Sequence, residues 1–213
     1  MPPKSTLARP SVVVFDLGGV LIDYNPRHLY RKLIPDPAEM EDFLANVTTG
    51  AWHTLQDHAG DPASATRELQ ALHPGKEALI AAYYDRFDEM LDYTFAPMAD
   101  LVERLSAAGV PLYVLSNAPD FVDAWLRGPA RARHPFIGRF RDYIVSGLVG
   151  CWKPNAEIFE LTCRTGGFRP QEAVFIDDVL ANVEGARAVG LSVVHHRSPD
   201  QTIAELRALG LPA

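Results

Sequence analysis

Short runs of β-branched and other apolar residues recur along the chain, and each run ends in a small or polar residue. Continuous apolar runs of this kind are typical of strands that are buried on both faces of a parallel sheet. The pattern predicts five strands, at residues 11–16, 111–116, 143–146, 173–177 and 191–195.

Between most of these strands, apolar residues follow the spacing of amphipathic helices. Helices are predicted at residues 98–108, 155–165 and 181–189, and Gly109 and Gly190 stop the first and the last of them. Because strands and helices alternate, the predicted fold class is α/β, with a doubly wound parallel sheet of the Rossmann-like kind.

One long segment interrupts this alternation. Between residues 24 and 93 no strand is predicted, but helical patterns recur at 28–33, 38–47, 63–72 and 76–91. We therefore predict a helical domain at residues 24–93, inserted after the first strand and placed over the strand ends. The α/β core would consist of residues 1–23 and 94–213.

Composition narrows the class of protein. The chain has 47% hydrophobic residues, 22% charged residues and a formal net charge of −7, so a nucleic-acid partner is not expected. Its apolar runs are far shorter than a membrane span, and the first ten residues read as a frayed tail rather than a signal peptide. Two cysteines, Cys151 and Cys163, are too few for a disulfide framework. We expect a cytoplasmic protein without a membrane partner.

Candidate chemistry lies where the predicted strands end. Ligands of open α/β sheets bind beyond the carboxyl ends of the strands, so polar residues at those positions are expected to meet at one edge. The set comprises Asp16, Gly18, Ser116, Asn117, Lys153, Asp177 and Asp178.

The three carboxylates of this set repel one another unless a cation lies between them. Hard oxygen ligands are the ones that Mg²⁺ selects, so Mg²⁺ is the expected cofactor. A phosphate group at that metal needs further donors, and an aspartate beside it can attack phosphorus to form an aspartyl-phosphate. The donors are Ser116, Asn117 and Lys153.

Four motifs, in this order along the chain, resemble those of the haloacid dehalogenase-like hydrolase superfamily. They are Phe15-Asp16-Leu17-Gly18-Gly19, Leu115-Ser116-Asn117, Lys153-Pro154 and Ile176-Asp177-Asp178. The chain is similar to subfamily I, which carries a helical cap of the C1 type, and to its Asp-Leu-Gly phosphatase-like members. The resemblance implies a hydrolase of phosphoric monoesters.

The resemblance also implies roles for single residues. Asp16 would be the nucleophile, and Lys153 would take part in catalysis and bind the phosphate. Mg²⁺ would be held by Asp16, the backbone carbonyl of Gly18 and Asp178, while Asp177 would lie behind these ligands and orient Lys153 or a metal-bound water. The cap would close over the site and set specificity. The expected partner is a small phosphorylated metabolite, such as a sugar phosphate, and the expected state is a monomer or homodimer.

Gly18 departs from the pattern of most phosphatases of this superfamily. They carry at this position a second aspartate that protonates the leaving group and later activates water, and losing such a group costs roughly 10²–10⁴-fold in rate. Asp23, His28 and His53 are candidate replacements, although a turn or packing role is the commoner fate of such residues.

Three hypotheses follow from this departure. The first is a phosphatase whose substrate has a good leaving group, such as a sugar 1-phosphate or an acyl phosphate. The second is a 2-haloacid dehalogenase, since those relatives also lack the second aspartate, although they need no metal. The third is a weakly active relative that binds a phosphorylated ligand or a partner protein.

Overall fold

The central sheet of the protein has five strands, all of them parallel. The structure, a computed structural model, describes residues 9–58 and 60–213, so most of the predicted N-terminal tail lies outside the described residues. In chain order, five of its seven strands form this sheet: β1 (Val12–Phe15), β4 (Leu112–Ser116), β5 (Asp142–Val145), β6 (Ala173–Asp177) and β7 (Ser192–His195). Their spatial order is β5-β4-β1-β6-β7, and each predicted strand is confirmed to within one residue at either end.

Alternate residues of the strands enter two separate cores, one on each face of the sheet. Val13 and Phe15 belong to one core, whereas Val12 and Val14 belong to the other. This burial on both faces explains why the strands appear in the sequence as continuous apolar runs. Helices cover each face: α6 (Ala96–Ala107), α7 (Phe121–Arg127) and α12 (Pro199–Ala208) on the first, α10 (Ala156–Gly166) and α11 (Leu180–Val189) on the second. The fold class is therefore confirmed as a doubly wound α/β sheet.

The predicted core helices are confirmed with shifts of one or two residues, as α6, α10 and α11. Gly109 and Gly190 have left-handed backbones with φ of 79° and 102°, as their stop positions require. Within the α/β core, the helices that were not predicted are α7, α12 and two short ones, α8 (Pro129–Arg133) and α9 (Ser146–Val149). The two short helices are the harder ones to detect. They have too few turns to show a clear helical period.

The segment inserted after β1 is helical, as predicted. It contains α1 (Arg27–Tyr30), α2 (Pro37–Asn46), α3 (Gly50–Asp57), α4 (Pro62–Leu72) and α5 (Glu77–Asp85). The helix predicted at 76–91 is wrong as a single element, because the backbone leaves the helical region at Arg86 (φ −125°, ψ 31°) and resumes as a 3₁₀ turn, Phe87–Met90. The helix α3 was not predicted.

A small antiparallel sheet closes the base of the insertion. Its strands β2 (Ile22–Asp23) and β3 (Tyr93–Thr94) pair Asp23 with Tyr93, so the chain leaves the core and returns to it at one point. The proposed domain boundaries at 23/24 and 93/94 fall within this pairing. Across the described residues, no helix combines the length and the apolar character that a membrane crossing would need.

Candidate active site

The carboxyl ends of the three middle strands bring the predicted site residues together. Asp16 follows β1, Ser116 ends β4 and Asp177 ends β6. The backbone N–H of Asp16 donates to the Ile176 carbonyl at 2.9 Å, which keeps Asp16 in register with the end of β6. The strands β4 and β6 lie on opposite sides of β1. The chain connections that follow these strands therefore diverge and leave a crevice at this edge of the sheet.

Lys153 lies between two carboxylates in the interior of this crevice. Its Nζ is 2.8 Å from Asp16 Oδ1 and 2.7 Å from Asp177 Oδ2, and all three residues are buried. Burial by itself lowers the pKa of Lys153, but the two carboxylates more than offset this and raise it above its ordinary value. The lysine is therefore a permanent cation at neutral pH.

The side chain of Asn117 fixes the backbone that carries this lysine. Its Nδ2 donates to the Lys153 carbonyl at 3.0 Å, and its Oδ1 accepts from the Lys153 N–H at 2.9 Å. These two bonds leave one amide hydrogen of Asn117 for another partner. Phosphate binding by Asn117 stays a prediction, and the structure adds a positioning role that the sequence did not suggest.

Asp177 uses its carboxylate oxygens for protein contacts. Oδ1 accepts from the Val179 N–H at 2.7 Å, and Nδ2 of the buried Asn182 lies 3.1 Å from each oxygen. With Lys153 on Oδ2, the carboxylate is surrounded by donors. This pattern is the one expected of a residue that lies behind the metal ligands and orients Lys153, and that role stays a prediction.

Carboxylate oxygens of Asp16, Asp177 and Asp178 lie within 4.8 Å of one another. The Gly18-Gly19 backbone runs directly against Asp178: Gly19 has a φ of 75°, and a Cβ there would stand 2.4 Å from Asp178 Oδ2. The carboxylate of Asp178 thus lies against a backbone position, Gly19, where a side chain would displace it. This set of hard oxygen donors fits Mg²⁺.

The site carries more negative charge than its lysine balances. Burial raises the pKa of Asp16, and the nearby Asp177 raises it further, while Lys153 acts in the opposite direction. A divalent cation would remove this imbalance and favour the ionised form of Asp16. The charge imbalance and the arrangement of the oxygen atoms therefore both favour a divalent cation at this site.

A cavity of about 410 Å³ opens from these residues and is lined by both the core and the insertion. The core contributes Asp16, Ser116, Asn117, Lys153 and Asp178, together with apolar side chains such as Val122. The insertion contributes Tyr24, His53, Asp57, Phe87 and Leu91. Within the described part of the chain, Lys153 is the one Lys or Arg in this lining.

Asp57, the last residue of α3, is a site residue that the sequence analysis missed. It is 7% exposed, and burial raises its pKa to about 8, with Lys153 lowering it and Asp16 raising it. It is one of 27 acidic residues and belongs to no motif. The helical spacing to His53 was the only available signal.

The three candidate replacements for the missing acid–base group differ in whether they line the cavity. His28 Nε2 and Asp23 Oδ2 pair with each other at 2.8 Å, and neither residue lines the cavity. His53 does line it, but burial lowers its pKa to about 4, so at neutral pH its ring holds no proton to spare. Beside Gly18, a Cβ would meet Tyr24 Cβ at 3.3 Å, so Tyr24 occupies the adjoining space.

The sequence profile of the haloacid dehalogenase-like (HAD) hydrolases matches residues 10–190. The chain belongs to the haloacid dehalogenase-like hydrolase family. It is 30% identical over 200 residues to the sesquiterpene phosphatase astK of Aspergillus oryzae, across 92% of this chain and 94% of that protein. Like that relative, this HAD-family chain is an enzyme of the phosphatase class of hydrolases.

Solved structures of HAD-family proteins share the fold. A HAD-like hydrolase from Porphyromonas gingivalis matches with a TM-score of 0.68 and 25% identity, over 94% of this chain and 98% of that one. A HAD-family enzyme from Bacteroides thetaiotaomicron, in complex with magnesium and inorganic phosphate, matches with a TM-score of 0.62 and 24% identity, over 87% and 93%. The α/β fold of this chain is therefore one found in this family.

Proposed function

We propose that the protein is a Mg²⁺-dependent phosphatase that hydrolyses a small phosphorylated metabolite through an aspartyl-phosphate on Asp16. One observation carries the proposal: Asp16 is buried at the end of β1, 2.8 Å from the ammonium group of Lys153, and lines the same cavity as Asp178 and Ser116. A nucleophile, a fixed cation and an oxygen-rich edge are the parts that phosphoryl transfer requires.

In the first step, an Asp16 carboxylate oxygen attacks phosphorus and the bond to the leaving oxygen breaks. Lys153 holds Asp16 in position and offsets negative charge on the phosphoryl oxygens, and the Ser116 hydroxyl donates to one of them. Asp16, Gly18 and Asp178 would hold Mg²⁺, which supplies further neutralisation of that charge. Water then attacks the aspartyl-phosphate and releases phosphate.

The cavity lining also bears on the substrate. The insertion presents Tyr24, Phe87 and Leu91 to it, and Lys153 is already paired with two carboxylates. A second acidic group on the substrate would find no free Lys or Arg among the described lining residues. We therefore favour the phosphate ester of an alcohol with an apolar body, as the name of the relative astK also suggests. The sugar-phosphate prediction remains to be tested.

A panel of phosphate esters tests the proposal, assayed for phosphate release with and without Mg²⁺. The panel contains a prenyl phosphate, a hexose phosphate and phosphoglycolate, and Asp16→Asn is compared with Asp85→Asn, an exposed aspartate of α5. We expect release that requires both Mg²⁺ and Asp16, is unchanged in Asp85→Asn and is fastest with the prenyl ester. Metal-independent chloride release from 2-chloropropionate would instead indicate a dehalogenase. Phosphate binding without any turnover would indicate a binding role.

A further inference from the structure

An alkyl phosphate releases an alkoxide, which needs a proton as it departs, and Gly18 has no side chain to give one. Five other ionisable groups line the cavity near Asp16: Asp178, which we assign to the metal, and Lys153, Tyr24, His53 and Asp57. Lys153 is committed to two carboxylates, and burial raises the pKa of Tyr24 far above neutrality. Because burial lowers the pKa of His53 to about 4, its ring is neutral at pH 7, and the N–H that remains is too weak an acid to protonate a leaving group. Asp57 is the group that remains.

We propose that Asp57 is the general acid and base of this phosphatase, supplied by the helical insertion in place of the side chain absent at Gly18. This proposal rests on the proposed function, because it concerns which group gives and takes protons in the same reaction. It assigns to α3 a catalytic part, in addition to covering the site.

The end of α3 is attached to the core loops that carry the other catalytic groups. The Ser146 hydroxyl, at the start of α9, donates to the Asp57 carbonyl. The ring of His58 stacks on Trp152 with centroids 4.3 Å apart and planes at 13°, and Trp152 directly precedes Lys153. These two contacts hold Asp57 in a defined position relative to Lys153.

The carboxyl group of Asp57 is buried without its hydrogen-bonding capacity being used. Within the described residues, Oδ1 has no hydrogen-bond partner, and the ring nitrogen Nε2 of the neutral His53 lies 3.4 Å from it. A buried polar atom without a partner costs free energy and calls for an explanation, and a catalytic role is one of those known. Because Asp57 also lines the cavity, we assign its carboxyl group to the leaving oxygen of a bound phosphate ester.

Burial of the Asp57 side chain favours the protonated form of its carboxyl group. Burial raises the pKa to about 8; Lys153 lowers it and Asp16 raises it. His53 on the same helix is neutral, as are Tyr83 and Tyr84 of α5, whose pKa values are raised by burial. A carboxylic acid with a pKa near the working pH is suited to both giving and taking a proton.

The proton balance closes over the two steps. In the first, Asp16 forms a bond to phosphorus, the ester oxygen leaves with its electron pair, and the Asp57 carboxyl proton moves to that oxygen to give the free alcohol. In the second, the Asp57 carboxylate takes a proton from water as the water oxygen bonds to phosphorus. The phosphorus–Asp16 bond then breaks, which restores the Asp16 carboxylate and the protonated Asp57.

The test compares leaving groups rather than overall activity. Wild type, Asp57→Asn and Asp85→Asn are assayed with Mg²⁺ on an alkyl phosphate, phenyl phosphate and 4-nitrophenyl phosphate. In Asp57→Asn we expect kcat on the alkyl ester to fall by roughly 10²–10⁴-fold, with little loss on 4-nitrophenyl phosphate, whose leaving group needs no proton. Asp85→Asn should match wild type on all three, and the alkaline decline of kcat/KM that wild type shows should be absent from Asp57→Asn.

Equal losses of Asp57→Asn on all three esters would overturn the proposal, since a packing role does not depend on the leaving group. Full activity of Asp57→Asn on the alkyl ester would overturn it as well. Both results leave the proposed function intact, because wild type would still hydrolyse the esters. The proposed function fails separately, if wild type with Mg²⁺ releases phosphate from none of them.

Discussion

Lys153 and its two carboxylate partners carry the largest concentration of buried charge in the described part of the site. Asp16 and Asp177 both contact one ammonium group that is 1% exposed. Removing one member of such a buried set leaves the others without compensation, which costs much more than losing a surface ion pair. Function and stability therefore depend on the same three side chains.

Lys153→Met is expected to lower the free energy of unfolding by about 3–5 kcal/mol, because two buried carboxylates lose their cation. Urea unfolding at pH 7 measures this. The double variant Lys153→Met/Asp177→Asn, with one carboxylate fewer, should recover part of the loss. Lys32→Met removes an exposed ion pair with Glu89 and serves as the control, with an expected loss of at most about 1 kcal/mol. A similar loss in the two single variants would contradict the prediction.

Asp57 should make stability depend on pH. Its pKa is raised from 3.8 to about 8 in the folded protein, so between these values the folded state keeps a proton that the unfolded state releases. Its contribution to stability is fully present below pH 3.8 and is lost as the pH rises to about 8. Asp57→Asn should therefore resemble wild type in acid and be more stable than wild type above pH 8 in urea unfolding. A difference that does not change with pH would count against the raised pKa.

At the scale of elements, two short segments bring the site together from opposite sides. The turn after β1 places Gly18 and Gly19 against Asp178, and the end of α3 is held on the core by Ser146 and Trp152. Neither segment is stabilised by its own local structure alone. Each depends on contacts with a loop distant in sequence.

Gly19→Ala tests the turn after β1. Alanine in a left-handed backbone costs about 1–2 kcal/mol, and the new Cβ would also displace the Asp178 carboxylate. Gly109→Ala is the matched control, since Gly109 has a φ of 79° with open space around it. We expect both variants to lose similar stability, whereas only Gly19→Ala should need a much higher Mg²⁺ concentration for activity. Equal Mg²⁺ requirements in the two variants would show that this turn does not contribute to metal binding.

Trp152→Ala tests the attachment of α3. Without the ring stacked on His58, amides of α3 should exchange with deuterium faster, while those of α10 remain protected. Hydrolysis of an alkyl phosphate should slow more than that of 4-nitrophenyl phosphate, because Asp57 is no longer held in place. Trp152→Phe, which keeps an aromatic ring, should stay near wild type. Unchanged exchange in the alanine variant would show that other contacts suffice.

For the whole molecule, the insertion and the α/β core share one apolar interior. Tyr30 and Ile80 of the insertion belong to the same buried cluster as Phe15 and Leu101 of the core. The proposed cap is thus packed as part of one unit, with the active-site cavity between its helices and the strand ends. A ligand in that cavity stabilises the folded state of the unit as a whole.

Thermal unfolding should therefore show one transition, and Mg²⁺ with inorganic phosphate should raise its midpoint. At 100 times the dissociation constant the expected stabilisation is about 2.7 kcal/mol. Asp178→Asn should abolish the shift, and Asp85→Asn should preserve it. Two separate transitions would contradict the shared interior, and an undiminished shift in Asp178→Asn would place the metal elsewhere.

The five strands of the central sheet and the main site residues were predictable because they depend on local sequence and on a general property of parallel sheets. The two-residue strands β2 and β3 were not predicted. Runs such as residues 12–15 are apolar throughout since both faces are buried, and strand ends meet at one edge whatever the length of the connections. Asp16, Ser116 and Asp177 were therefore expected to converge from their positions alone. Their individual chemical roles remain predictions.

Other features were decided by tertiary contacts that leave no local signal. The hydroxyl of Ser146 meets the carbonyl of Asp57 across 89 positions of sequence, and Tyr24 fills the space beside Gly18 through the packing of the insertion. The pKa of Asp57 is raised because its side chain is buried, and residue type alone does not reveal this burial. The sequence by itself thus determined the sheet and the edge where chemistry takes place. The tertiary structure decided which side chains around that edge lose their water, because desolvation depends on every neighbour in space.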